Sequence, residues 1–221
     1  MEPPDPLVER VSAALAAVPG VVAVALGGSR ATGAAHSSSD YDIGLYFSER
    51  VGLDVKRLRD VVRSLVDDPA AAQVTEVGGW GRWIVGGGWL TITGNKVDLL
   101  YRPIESVERV IRECRDGRVS MDYQPGYPHG FCSAIWMGEV ALCQPLSDSQ
   151  SAIAALKALT APYPKKLREA LMRRFNSFWA RYMPEVPPTA GYYGDGTRFL
   201  RDIEPARRQL GIADEQLIRC R

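Results

Sequence analysis

Residues 27–47 read GGSRATGAAHSSSDYDIGLYF, a glycine-serine turn followed about a dozen residues later by two aspartates one residue apart. Alternate residues of a β-strand project to the same face. Asp40 and Asp42 therefore point together, while Tyr41, Ile43, Leu45 and Phe47 form an apolar row on the other face. This alternation predicts a half-buried strand, anchored by one face and acidic on the other. Two neighbouring carboxylates repel each other, and a divalent cation between them is the economical way to keep both ionised. Hard cations such as Mg²⁺ take oxygen ligands from carboxylates, water and substrate phosphates. The acids are thereby tied to the turn before them. Gly28 lets backbone approach a phosphate closely, Ser29 offers a hydroxyl, and a helix beginning near Ser29 adds N-terminal N–H groups.

Working outward, Val21 to Leu26 is a continuous apolar run that predicts a buried strand leading into the glycines. Before it, Asp5 as N-cap, Pro6 at the first helical position and apolar residues from Leu7 to Val18 predict a helix ended by Pro19-Gly20. After the acidic strand, Leu53 to Val66 reads as an amphipathic helix. Residues 73–93 mix tryptophans and aliphatics with Gly86-Gly87-Gly88, which predicts a hairpin turning at the glycines. Val97 to Tyr101 reads as the next strand, and there Asp98 stands alone opposite Val97, Leu99 and Tyr101. A neighbouring strand carrying a third acid on the same face could aim it at the same cations. Helices are expected at 104–114, 149–160 and 164–182, the last with a stripe from Leu167 to Tyr182 that suits a core-facing helix. Proline, glycine and tyrosine dominate 184–197, an irregular connection ahead of one or two short terminal helices.

Composition narrows the function. With 46% hydrophobic and 24% charged residues over 221, and a net charge of +1, the chain is of ordinary globular type. It has no basic stripe to grip a nucleic-acid backbone, so template-directed polymerisation is disfavoured. The four cysteines, Cys114, Cys132, Cys143 and Cys220, follow no zinc or disulfide spacing, which points to free thiols and a cytoplasmic protein. No run approaches the ~18 apolar residues of a membrane span, and Met-Glu-Pro-Pro-Asp shows no basic region ahead of an apolar stretch, so neither secretion nor membrane spanning is expected. His36 and His129 read as incidental, Lys96 and Arg102 as solvated charges, and Trp80, Trp83 and Trp89 as core or cross-strand packing residues, with the lining of an acceptor or base pocket as their alternative role.

The order Gly28-Ser29, then Ser39-Asp40-Tyr41-Asp42 between two apolar strands, then Asp98 on a later strand resembles the nucleotidyltransferase superfamily typified by DNA polymerase β, in the small bacterial branch of the kanamycin-type antibiotic nucleotidyltransferases. The resemblance covers roughly residues 5 to 180. It implies an α/β fold, a small mixed sheet flanked by helices, with a catalytic domain over 1–115 and a mainly helical region over 116–221. It implies transfer of a nucleoside monophosphate from a nucleoside triphosphate, ATP foremost, to a hydroxyl of a small-molecule acceptor, with pyrophosphate released. Gly28 and Ser29, with Arg30 beside them, would contact the triphosphate. Asp40 and Asp42 would ligate two Mg²⁺ ions and Asp98 the one nearest the attacking oxygen, with Asp98 or an acid such as Glu76 taking the acceptor's proton. The tail after about 184 is shorter than in antibiotic-modifying members, so a homodimer in which a second copy completes the acceptor wall is one expectation. A protein-modifying enzyme of a toxin–antitoxin pair and a non-catalytic nucleotide-binding module are the alternatives.

Overall fold

Asp5 starts the first helix as its sequence position predicts. Its carboxylate accepts the Leu7 N–H at 2.9 Å, and Pro6 follows where a missing N–H costs nothing. The computed structural model describes residues 5–182, leaving out the side chains of 128, 129 and 175–182. The irregular segment 184–197, the terminal helices, Cys220, the side chain of His129 and the aromatic half of the last helix's stripe lie outside that description.

In chain order the elements are α1 (Pro6–Ala16), β1 (Val21–Leu26), α2 (Gly28–Ala31), β2 (Tyr41–Phe47), α3 (Val55–Leu65), β3 (Gly87–Ile92), β4 (Asn95–Pro103), α4 (Ile104–Arg115), β5 (Met121–Gln124), β6 (Tyr127–Cys132), α5 (Ala134–Leu142), β7 (Gln144–Ser147), α6 (Ala152–Thr160) and α7 (Lys165–Tyr182). Five strands form a mixed sheet in the order β3-β4-β2-β1-β7, in which β2 and β4 run parallel and the other neighbours antiparallel. A separate hairpin pairs β5 with β6.

One face of the sheet is apolar throughout. Leu26 and Val24 on β1 pair with Ile43 and Leu45 on β2, which pair in turn with Leu99 and Tyr101 on β4, all buried. Directly opposed residues share a face, so the apolar row read from the β2 sequence continues across three strands. Leu90 and Ile92 extend it on β3. Helix α1 packs on β1 and β7 and meets α3, whose Leu58, Val62 and Leu65 are buried; α4 packs with α5, α6 and α7. The other face, with Ala25, Asp42, Gly44, Asp98, Leu100 and Trp89, carries small, polar or exposed residues.

Two sequence expectations are corrected here. The hairpin turns at Thr93-Gly94, not at Gly86–Gly88: β3 runs from Gly87 straight into β4, and both turn residues have positive φ, 49° and 74°. That is the signature of a tight two-residue hairpin turn. The three glycines serve close approach instead. A Cβ on Gly87 would lie 1.7 Å from the Leu99 carbonyl oxygen. Residues 73–86 form a loop laid against this strand end, with the Thr75 N–H donating to the Gly87 carbonyl and the Tyr101 hydroxyl donating to the Thr75 carbonyl at 3.0 Å. Arg102 is the second correction. Far from being a solvated charge, it is 3% exposed and doubly hydrogen-bonded to Glu139 at 2.8 Å per contact. Lys96 is exposed as expected.

Candidate active site

The turn after β1 and the aspartate of β2, Asp42, are built as one unit. Gly27 donates its N–H to the Asp42 carbonyl at 2.7 Å. Gly28 sits at φ +60°, and a Cβ there would fall 1.8 Å from Asp42 Oδ2. Only glycine combines that left-handed backbone with contact against the carboxylate. The helix expected at Ser29 exists but is the single turn α2, four residues long. Its dipole is correspondingly small, so individual N–H groups and the Ser29 hydroxyl are what the turn can offer an anion.

Arg30 leaves α2 towards the protein. Its Nη2 donates to the Ser39 carbonyl at 2.7 Å, its Nε reaches the carbonyls of Ser39 and Asp40 at 3.2 Å each, and its guanidinium carbon lies 3.7 Å over the centre of the Tyr41 ring. It therefore clamps the backbone on which Asp40 rides.

Asp42 and Asp98 are register partners across the parallel β2–β4 ladder. They share the open face, with Asp40 just before β2. Burial raises the pKa of Asp42, and the charges of Asp40 and Glu139 raise it further, opposed by Arg102. Asp98 is raised by burial first and then by Asp42 and Asp40. The charge of Asp40 thus makes Asp42 and Asp98 harder to ionise, and Asp42 does the same to Asp98. Among the described residues no three His, Cys, Asp or Glu side chains converge into a ready metal cluster. The donors nonetheless suit a hard divalent cation: all are carboxylate oxygens, and their mutual repulsion is what such a cation relieves. Asp40, Asp42 and Asp98 are the residues that would hold it.

Glu76 stands elsewhere. It ion-pairs with Arg59 of α3 and lines a cleft at the far ends of β2 and β4, beside Phe47 and Pro103. His36 is exposed in the loop between turn and acids.

From Asp42 the open face runs into a cavity of about 480 Å³ between the sheet and α5, lined by Gly27, Asp42, Tyr46, Arg102, Glu139 and Leu142 among others. The Arg102–Glu139 pair forms part of its wall. The alternation of β4 carried a signal for this, because Arg102 has the same parity as Asp98 and must share its face. Glu139 is likewise the only charge in the apolar helix AIWMGEVAL, a position that calls for a partner. The cavity's far wall is fixed by Lys157, whose ammonium donates to the carbonyls of Val140, Ala141 and Cys143 at the end of α5. Gln144 ties β7 to α2 by donating to the Ala31 carbonyl at 2.7 Å.

Residues 8–119, just over half of the chain, match the family model described as Nucleotidyltransferase domain. The chain belongs to the nucleotidyltransferase domain family. The matched span takes in the turn, all three aspartates and the sheet from β1 to β4. No curated protein matches the chain. Family membership supports nucleotidyl transfer as the generic activity, with a nucleoside triphosphate as donor. Among the described residues no helix is long and apolar enough to cross a membrane.

Proposed function

We propose that the chain transfers a nucleoside monophosphate from a triphosphate to a hydroxyl of a small-molecule acceptor. The observation that carries this reading is the register pairing of Asp42 with Asp98 on the open face, with Gly28 pressed against Asp42. Gly28 and Ser29 receive the triphosphate, and Arg30 acts on it through the backbone of Ser39 and Asp40. Asp40, Asp42 and Asp98 would hold divalent cations, two Mg²⁺ ions, which when bound would supply charge neutralisation at the phosphates and activation of the attacking oxygen. The acceptor oxygen forms a bond to the α-phosphorus, the bond from that phosphorus to the bridging oxygen breaks, and pyrophosphate leaves. The hydroxyl proton passes to the Asp98 carboxylate, which shares the open face with Asp42 across the β2–β4 ladder. Glu76, engaged by Arg59, takes no part. A chemistry of this kind needs mainly placement and electrostatic support, which the paired strands provide.

The test is calorimetric titration of ATP and GTP with Mg²⁺ into the native protein and Asp42→Asn. Metal-dependent binding of a triphosphate that the variant loses is the expected result. A native protein that binds no triphosphate would refute the proposal.

A further inference from the structure

The tryptophans near β3 divide into two kinds. Trp83 is 4% exposed, stacked on Phe131 at 5.6 Å and edge-on to Trp136 at 5.1 Å, a core residue. Trp89 is 71% exposed although it is the largest apolar side chain on its strand. It is the register partner of Asp98 across the antiparallel β3–β4 ladder. Residues so paired share a face with Cβ atoms about 5 Å apart, so the indole stands beside the third acid.

Trp89 is also braced. Trp80 stacks on it with ring centres 4.5 Å apart and planes 25° from parallel. Trp80 is held in turn through its carbonyl, which accepts the Gln124 amide at 2.7 Å. Gln124 is 1% exposed, and its Oε1 accepts the N–H groups of Trp83 and Ile84. A buried glutamine with both ends engaged fixes this loop, and the loop fixes the stacked pair. Such a construction gives a rigid π surface open on one side.

Its place in the site selects its ligand. Across the open face the order is the Gly27–Ser29 turn at β1, Asp42 on β2, Asp98 on β4 and Trp89 on β3. A triphosphate on the turn leaves the attacking hydroxyl at Asp98, and the indole lies one strand beyond, on the side away from the phosphates. Lys96 is exposed on the same face in the adjoining Thr91–Lys96 pair, where its ammonium opposes a polycationic acceptor.

We propose that Trp89, braced by Trp80, is the acceptor platform: the acceptor is a hydroxyl compound bearing a flat unsaturated ring, which stacks on the indole and directs the hydroxyl back to Asp98. This rests on the nucleotidyl-transfer reading above.

The test uses adenosine, the phenyl glucoside arbutin and the polyamine kanamycin as probes. Each is titrated by saturation-transfer NMR into native protein, Trp89→Ala and Trp89→Phe, with Mg²⁺ and a non-hydrolysable ATP analogue present. Expected is binding of a ring probe to the native protein, weakened by about tenfold or more in Trp89→Ala and largely kept in Trp89→Phe, with affinity for the ATP analogue equal in all three. Adenosine alone marks a nucleoside acceptor, and arbutin alone a phenolic glycoside. Ring probes that do not bind the native protein, or that bind Trp89→Ala as well as native, overturn the platform while leaving the transfer reading intact. So does binding of kanamycin in their place. Weaker binding of the ATP analogue to Trp89→Ala overturns it as well, because the indole then serves the donor's base. A native protein that binds no ATP analogue brings down both readings.

Discussion

The two faces of β2 carry the same kind of carboxylate in opposite conditions. On one side Asp5 receives the Tyr41 hydroxyl at 2.6 Å and the Leu7 N–H at 2.9 Å. Burial pushes its pKa up, but these donors outweigh burial and hold it below its ordinary value. On the other side Asp42, one residue along from Tyr41, has its pKa raised by burial first and then by the charges of Asp40 and Glu139. Asp5 is an acid the fold has satisfied, and its ionisation stabilises the native state. Asp42 and Asp98 are acids the fold has left in tension, and their ionisation works against it. Carboxylates kept together against their own repulsion are characteristic of sites that wait for a cation or a proton.

Replacing Asp42 by Asn should break this contrast most visibly. Nucleotidyl transfer should fall by about 10²–10³-fold, the usual loss when one electrostatic contact to the reacting groups is removed. Metal-free stability should move the other way. Because the folded pKa of Asp42 lies above its ordinary 3.8, the unfolded chain gives up this proton first, and native stability declines as pH climbs from 3.8 through the folded value. Asn removes that decline. Calorimetric melting at pH 7 in EDTA should therefore show a higher Tm for Asp42→Asn than for native protein, and an equal or lower Tm would mean that Asp42 is not under tension.

Gly28→Ala attacks the same face from the turn. The new Cβ meets Asp42 Oδ2 at 1.8 Å and forces a non-glycine residue to φ +60°. The backbone alone costs about 1–2 kcal/mol, measurable by urea unfolding, and the displaced carboxylate should weaken Mg²⁺-dependent triphosphate binding. Arg30→Ala should have a smaller effect. If the guanidinium works through Ser39 and Asp40, kcat falls by about tenfold, as for a small misplacement of a positioned group, with KM for the triphosphate little changed. A rise in KM alone would put the guanidinium on a phosphate.

How much of this was legible in the sequence follows from the range of each signal. Strand parity is local, so the apolar and acidic faces of β2, the lone Asp98 on β4 and the Asp5 cap were all readable. So were α1, α3, α4, α6 and α7, each with its own periodicity or cap. The register that sets Asp42 against Asp98 spans more than fifty residues and has no local signature. The edge strand β7 is four residues long and pairs Ser147 with Val24, a contact no periodicity could announce. Helix α5 and the β5–β6 hairpin carry no local signature, because their stretch mixes glycine, proline and aromatics without a clean period. Gly86–Gly88 drew the turn to the wrong place, since close approach and turning leave the same glycine mark. Parity on β4 puts Arg102 on the open face with Asp98, but burying it there depends on Glu139 from another element.

Tyr41→Phe probes the satisfied side with the smallest change. It deletes the hydroxyl that donates to Asp5 and leaves the ring under Arg30. A hydrogen bond to a charged group contributes about 1.5–3 kcal/mol, and urea unfolding at pH 7 should show a loss towards the lower end of this range, because Asp5 is only half-buried. Asp5 has a folded pKa below its ordinary 3.8, so its contribution is present above 3.8 and disappears as pH falls through the folded value. The difference between native and variant should accordingly shrink as pH falls below 3.8 and Asp5 takes up its proton. Transfer activity should hardly change, because Tyr41 and Asp42 leave the strand on opposite sides. If kcat fell together with stability, the two faces of β2 would be mechanically coupled, and Asp5 would have to be counted among the residues that position the acids.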